Sequence, residues 1–280
     1  MDPKLTPSLS VFIFGAGKVG RALASALRKT HAKVTLRPAR AGLPTTPLQA
    51  DVVVLAVRDR ELGPLAASLA NGHLVEETSV CVHVAGALGA DVLAPLRGVC
   101  AGVAQMHPMI SFASLEQLPT LEGGHVHVQG DSTAVSRARA LTLRLGMIPR
   151  TFDGLDTVGY HAAAGLVANG AAALAAMGAE LLVGAGVARE VAPALLGPLL
   201  RSVADNVATL GFPNALTGPV RRGDVAALAK HLEVLRRKCP AAIPLYLASA
   251  RAQVPLARAV GDASSEAFEA IEAWLMDVGA

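Results

Sequence analysis

Aromatic residues are scarce in this chain of 280: six Phe, two Tyr and one Trp, 3% of the total. So few cannot build a platform for stacking bases, and no Lys/Arg-rich run interleaves with them, so nucleic acid is not an expected partner. Charged residues make up only 17% and the net charge is +3, too small and too dispersed to draw in a polyanion. Cys81, Cys100 and Cys239 have neither metal-ligand spacing nor the even number of a disulfide framework. Cys81 and Cys100 fall in apolar strand patterns and read as reduced, buried thiols. Met1 to Ser10 lack the apolar core of a secretory signal, and a cytoplasmic setting is expected. The longest apolar region, His161 to Val187, is interrupted by Asn169, Glu180 and several glycines. That pattern predicts a buried or interfacial helix rather than a bilayer span, so no membrane partner is expected.

Apolar residues are abundant instead, at 52%, and the length suffices for two domains with substantial cores. The most informative segment is Val11-Phe12-Ile13-Phe14-Gly15-Ala16-Gly17-Lys18-Val19-Gly20. An apolar strand runs into G-x-G-x-x-G, which opens a helix carrying Ala22, Leu23, Ala26 and Leu27. Gly15 permits the tight turn, Gly17 lets backbone approach a pyrophosphate, and Gly20 lets the helix pack close on the strand. The helix amides then meet the anion with the positive end of the helix dipole. Ala16, Lys18 and Val19 belong to the same cofactor loop.

The second strand, Ala32 to Leu36, selects the dinucleotide. A free ribose hydroxyl calls for Asp or Glu at its end, but no carboxylate lies between Gly15 and Asp51. Arg37 and Arg40 stand there, and two guanidinium groups suit a 2′-phosphate through paired, charge-assisted hydrogen bonds. The reading is NADP(H); the alternative is that both are solvated loop charges.

Strand-like and helix-like segments alternate up to Phe152, in the manner of a doubly wound sheet. Strands are expected at Asp51–Val57, Ser79–Val84, Val99–Met106, Gly124–Val128 and Met147–Phe152. Helices are expected near Glu61–Ala70, around Gly89–Leu96 and over Thr133–Leu145. Beyond Asp153 only helical periodicities occur, broken at Gly197-Pro198, Gly211-Phe212-Pro213, Gly218-Pro219 and Cys239-Pro240. The expected architecture is an α/β Rossmann domain over residues 1–152 and an all-α domain for substrate and dimerisation over 153–280. Ala56 and Val57, after the third strand, and Ala85 and Gly86, after the fourth, are expected beside the cofactor. The run Ala162 to Val187 is too apolar on too many faces for so small a domain to cover, which predicts a homodimer.

Four segments carry a family resemblance: His83-Val84-Ala85-Gly86-Ala87, Met106-His107-Pro108-Met109-Ile110-Ser111-Phe112, Tyr160-His161-Ala162-Ala163, and Ala215-Leu216-Thr217-Gly218-Pro219-Val220-Arg221-Arg222-Gly223-Asp224. The chain resembles the superfamily whose second domain is like that of 6-phosphogluconate dehydrogenase. It is most similar there to a bacterial group of Rossmann proteins with a helical domain of unknown function, some of which look like alternative ketopantoate reductases. The resemblance implies NADPH-dependent reduction of a small 2-oxo acid, with ketopantoate as the best single substrate. Imine reduction of the pyrroline-5-carboxylate reductase kind, or cofactor binding without catalysis, are the alternatives. One feature departs: the Lys that better-known ketopantoate reductases and β-hydroxyacid dehydrogenases carry on the first helix of the second domain is missing, since no Lys lies between Arg150 and Arg189.

His161 and Asn169 remain on that helix, about 80° apart in projection and so broadly on one face. Small residues around His161 leave room for a ligand, and histidine chemistry suits donating a proton to a ketone oxygen as hydride arrives. The alternative is a packing histidine. Asn169 is expected to act with it as a donor, because an amide on an apolar helix must find a partner. His107 precedes Pro108 at the end of a strand, where open sheets bind ligands, and either lines the substrate site or fixes its loop. Thr217, Arg221 and Arg222 are expected at the substrate, an Arg clamping its carboxylate; the alternative is an ion-pair cluster with Asp224. His125 and His127 share a strand face without a third ligand, so no metal is expected.

Overall fold

A computed structural model describes residues 9–279, so most of the Met1 to Ser10 segment lies outside the described residues. The chain divides into two compact units, one ending at Gly165 and the other beginning at Leu166.

The first unit is a seven-stranded sheet in the order β2-β1-β3-β4-β5-β6-β7. Its strands are β1 Ser10–Phe14, β2 Lys33–Arg37, β3 Val52–Leu55, β4 Val80–His83, β5 Gly102–Pro108, β6 His125–Gly130 and β7 Ile148–Arg150. β1 to β5 run parallel, and β6 is antiparallel to β5. A Rossmann-like α/β domain therefore precedes a helical region, as the sequence predicts. The reversal at β6 was not foreseen from the sequence. Every residue of β3 and β4 is buried, because helices cover both faces of a parallel sheet and each strand must be apolar throughout. On one face α1 (Lys18–Arg28) and α3 (Ser132–Arg144) pack through Leu23, Leu27, Ala138 and Leu141. On the other, α2 (Asp59–Asn71) and a 3-10 turn (Ala90–Leu96) bring in Leu62, Leu69, Leu93 and Leu96.

The order β2-β1-β3 places a topological switch between β1 and β3. Chains leave these two strands toward opposite faces, and the crevice between them is the ligand position of open α/β sheets.

Helix α4, Thr157–Gly184, begins in the first unit and continues into the second. The division into compact units thus falls inside a helix. α4 is long and apolar enough to cross a membrane by length and composition, with a mean hydropathy of 1.7. The second unit continues with α5 (Ala192–Leu210), α6 (Val225–Lys238), α7 (Ile243–Val260) and α8 (Ser265–Asp277). The expected break at Gly197-Pro198 does not occur: Pro198 lies inside α5. Its seventh position in the helix removes one backbone bond, which the following turns tolerate. α6, α7 and α8 close around Leu228, Leu247, Val254, Phe268 and Ile271.

Candidate functional site

The glycine loop is shaped by close backbone approach. Gly15 has φ +114 and its amide donates to the Arg37 carbonyl at 2.8 Å, tying the end of β1 to the end of β2. A Cβ at Gly15 would strike the Ala56 carbonyl, and one at Gly20 would strike the Gly15 carbonyl. Gly17 opens onto space and precedes α1, whose first turn has no side-chain cap. The uncapped amides and the glycine cradle fit a pyrophosphate. Lys18 and Val19 form the first turn beside it, and Arg21 braces the loop by donating Nε to the Ala16 carbonyl at 3.1 Å.

A cavity of about 350 Å³ extends from this loop, lined by Gly15, Ala16 and Gly17 at the switch point and by Arg40, Val57 and Arg58 beyond it. Ala56 lines it too, so the expected cofactor residues after β1 and β3 come together. Arg37 does not join them. Its guanidinium donates to the carbonyls of Ala41, Gly42 and Leu43 at 2.8–3.0 Å. The expected ligand is instead a brace for the short turn Ala39–Ala41 that carries Arg40, because three fixed carbonyls satisfy most of its donors. Arg58, Glu61 and Leu115 also line this cavity and were not singled out from the sequence. Arg58 and Glu61 follow β3 by three and six residues, beyond the reach of a pattern centred on β2. Leu115 comes from the long β5–β6 connection, whose path no periodicity encodes.

A second constellation forms where β4 and β5 end. The His107 ring lies 5.6 Å from His161 and 6.0 Å from Tyr160, centroid to centroid, both edge-on. His127 stacks on Phe152 at 5.7 Å and stands the same distance from Tyr160. Gly86 is the floor: a Cβ there would meet His161 Nδ1 and come within 2.8 Å of the His107 ring. Only glycine lets both imidazoles approach this backbone. Gln105 holds the loop from below, donating Nε2 to the carbonyls of Ala85 and Gly86, while its own Oε1 is buried and unpartnered among the described residues. Thr157, opening α4, donates Oγ1 to the Ala87 carbonyl at 3.3 Å and fixes the helix start to the same loop.

Protonation states follow from these contacts. The Val84 carbonyl can only accept, so His107 Nδ1, 3.0 Å away, carries the proton and Nε2 is bare in the neutral ring. Burial pushes the His107 pKa down, and the neighbouring His161 and His127 act in the same direction. Burial lowers His127 as well and raises the Tyr160 phenol, which keeps its proton. His83 is structural: Nδ1 accepts from the Ala85 amide at 3.2 Å, Nε2 donates to the Gly89 carbonyl at 3.1 Å, and burial brings its pKa to about 4.

The second unit changes the substrate assignments. Arg221 donates Nε to Asp262 at 2.6 Å and Nη1 to the carbonyls of Asn214 and Leu216. It is a structural strut for its own turn, and its expected role as a carboxylate clamp is corrected. Asp224 pairs with neither Arg; its side chain caps α6 through the Ala227 amide. Thr217 and Arg222 are exposed, as is Asn169 within α4, whose side chain makes no hydrogen bond among the described residues. Asn169 belongs to the second unit and His161 to the first. Tyr160 and Phe152 were missed as site residues. The scarcity of aromatics was the available signal, since two of the few fall together here.

A switch-point glycine cradle with an imidazole pair at neighbouring strand ends defines a Rossmann-like α/β protein with a ligand-binding edge. Residues 3–108 match the family model of a Rossmann-like domain, and residues 125–253 match that of a domain of unknown function, DUF2520. No curated protein matches the sequence. Among solved structures, the fold is similar to a Bacteroides fragilis protein described as an NADP oxidoreductase, with TM-score 0.69 and 20% identity over 89% of this chain and 98% of that one. Plasmodium falciparum pyrroline carboxylate reductase with NADP bound aligns over 90% of this chain and 98% of its own, at 14% identity and TM-score 0.58. An imine reductase from a Pseudomonas species aligns over 87% and 93%, at 19% identity and TM-score 0.54.

Proposed function

We propose that this chain is an NADPH-dependent reductase of a small 2-oxo acid, with ketopantoate the first substrate to test. The observation that carries the reading is the pair of imidazoles, from β5 and α4, packed on Gly86 in the loop after β4, the strand paired with β3. NADPH bound in that cradle supplies the hydride. Arg40, lining the same cavity, would supply a cation toward its 2′-phosphate, and Gly86 seats the two imidazoles beside the reacting carbonyl. His161 donates the proton that turns the nascent alkoxide into an alcohol, while His107, neutral and anchored to Val84, shapes the wall beside it. The solved structures of similar fold described as NADP, pyrroline carboxylate and imine enzymes support nicotinamide-dependent reduction as the class.

Reduction of a C=N bond is favoured by a separate observation. Burial keeps His107 and His127 uncharged, and Arg221 is committed to its own turn. A neutral aromatic surface accepts an iminium cation more readily than a carboxylate. Nicotinamide absorbance followed with ketopantoate and with a cyclic imine, each against NADPH and NADH, tests both readings. Turnover of ketopantoate with NADPH preferred is the expected result. Turnover of the imine alone selects the second reading, and no oxidation of NADPH with either removes both.

A second copy of the chain is the expected partner. No residue of α4 is buried, and Leu166 and Val167 are 77% and 71% exposed. On α5, Leu195, Leu199, Val203 and Leu210 are exposed as well. Each such side chain gains about 1.5–3 kcal/mol when covered. Scaled by their exposure, their sum over two copies is of the same order as the roughly 4–15 kcal/mol that association costs. Light scattering is expected to give a dimer; a monomer at micromolar concentration would overturn it.

A further inference from the structure

We propose that Arg58, together with Arg40, forms the 2′-phosphate clamp of the nucleotide cavity, and that Arg37 acts only by holding the turn on which Arg40 sits. This rests on the NADP(H) reading above and extends it to a residue outside the β2 pattern.

Three of the four arginines near the glycine cradle line the cavity: Arg21, Arg40 and Arg58. Their donors are unequally available. Arg21 is turned onto the Ala16 carbonyl, and Arg37 is saturated by three carbonyls of the following loop. The Arg40 and Arg58 guanidiniums make no hydrogen bond or ion pair among the described residues, and both are exposed. They approach the same cavity from two elements, the turn after β2 and the residue preceding α2. A phosphate dianion has three oxygens to satisfy, and two planar guanidinium forks from different directions meet that geometry better than one.

Position separates the clamp from the pyrophosphate. The cradle at Gly15–Gly17 takes the bridging phosphates at the switch point, whereas Arg40 lies beyond the end of β2, where the adenosine ribose of a dinucleotide is read. Arg58 follows Ala56 and Val57, which leave the end of β3 and line the same cavity as Arg40. One carboxylate, Glu61 on the first turn of α2, lines the same wall. With Arg21 engaged elsewhere, the two uncommitted guanidiniums outnumber it. The wall therefore presents net positive charge to the ligand, as a 2′-phosphate requires and a 2′-hydroxyl does not.

The test is isothermal titration of the full chain and its Arg58→Ala, Arg58→Lys and Arg40→Ala variants with NADPH and NADH, and with the fragments 2′,5′-ADP and 5′-AMP. Arg58 is exposed, so its removal leaves the fold intact, which an unchanged Tm verifies. Arg58→Ala is expected to weaken NADPH and 2′,5′-ADP by roughly 10–100-fold, the scale of one charge-assisted contact. NADH and 5′-AMP should bind as before. Arg58→Lys should recover part of the loss, because it restores charge without the fork. Equal weakening of both cofactors would mean that Arg58 supports the adenosine as a whole, and an unchanged ratio would mean that it is idle; either result overturns the clamp. Should the wild-type chain bind neither cofactor, the NADP(H) reading itself falls. A wild-type preference for NADPH that survives Arg58→Ala removes only this inference.

Discussion

His161→Ala is expected to lower kcat for ketone reduction by roughly 10²–10⁴-fold, the scale of general acid catalysis. Affinity for NADPH should hardly change, because the ring stands on Gly86 and not on the glycine cradle. The argument runs by elimination among the groups gathered there. His107 cannot donate from Nε2, since its single proton is on Nδ1 and directed to the Val84 carbonyl. Nor does it readily take up a second, because burial lowers its pKa. His127 is fully buried and held by Gln129. Tyr160 retains its proton, raised by burial, and lies 6.0 Å from His107; it is the competing donor. Tyr160→Phe is therefore the control, expected to cost much less than His161→Ala. Near-normal ketone reduction by His161→Ala, with the large loss appearing in Tyr160→Phe, would transfer the role to the phenol. If the substrate is an iminium ion, hydride transfer needs no proton on the acceptor, and His161→Ala should be mild with an imine.

The glycine loop and the alternation of elements were legible because both are local. Gly20 answers to a backbone clash within one strand–turn–helix unit and Gly15 to one with the Ala56 carbonyl just past the adjoining strand, and the G-x-G-x-x-G spacing marks both. The ends of β3 and β4, with Ala56 and Gly86, followed from the same periodicity. What the sequence concealed depends on turn shape and on long-range pairing. Arg37 looked like a ligand because its position in β2 is right, but its three hydrogen-bonding partners lie in a turn whose shape no pattern specifies. Arg221 was misread for a different reason, its partner Asp262 being 41 residues away. The reversal at β6 was hidden because an alternating strand has no direction of its own. That reversal matters for the site, since it pairs His107 with His127 and so gathers Tyr160 and Phe152 around them. His161 and Asn169 stood out as polar residues of an apolar helix, whereas Tyr160 entered only within the segment Tyr160-His161-Ala162-Ala163 and was given no role.

Acidification should destabilise the Rossmann-like unit before its carboxylates titrate. His83 is completely buried, with both ring nitrogens already engaged: Nδ1 accepts from the Ala85 amide and Nε2 donates to the Gly89 carbonyl. A second proton would have to replace an accepted bond with an N–H facing another N–H. Burial holds the pKa at about 4 against 6.5 for an ordinary histidine, with the Gly89 contact and Asp59 opposing and His107 reinforcing. His107 and His127 are lowered as well, again chiefly by burial. Below pH 6.5 the unfolded chain therefore binds protons that the folded chain refuses, so stability is full above that value and falls as the pH drops toward the folded pKa. At about 1.4 kcal/mol per pH unit, His83 alone removes about 3 kcal/mol by pH 4, and the other two rings act in the same direction. Asp51 and Asp131, whose pKa values lie below the ordinary 3.8, lose their contributions only at still lower pH, so the histidine window is separable. The midpoint of urea unfolding is expected to decline between pH 6.5 and 4 in the wild-type chain. His83→Gln, less stable at neutral pH, should show a shallower decline because one titrating group is gone. A midpoint independent of pH across that window would show that the imidazoles accept protons in the folded state. A second proton on His83 Nδ1 removes the bond from the Ala85 amide, next to Gly86, while the Gly89 contact and the Gln105 bonds to Ala85 and Gly86 remain.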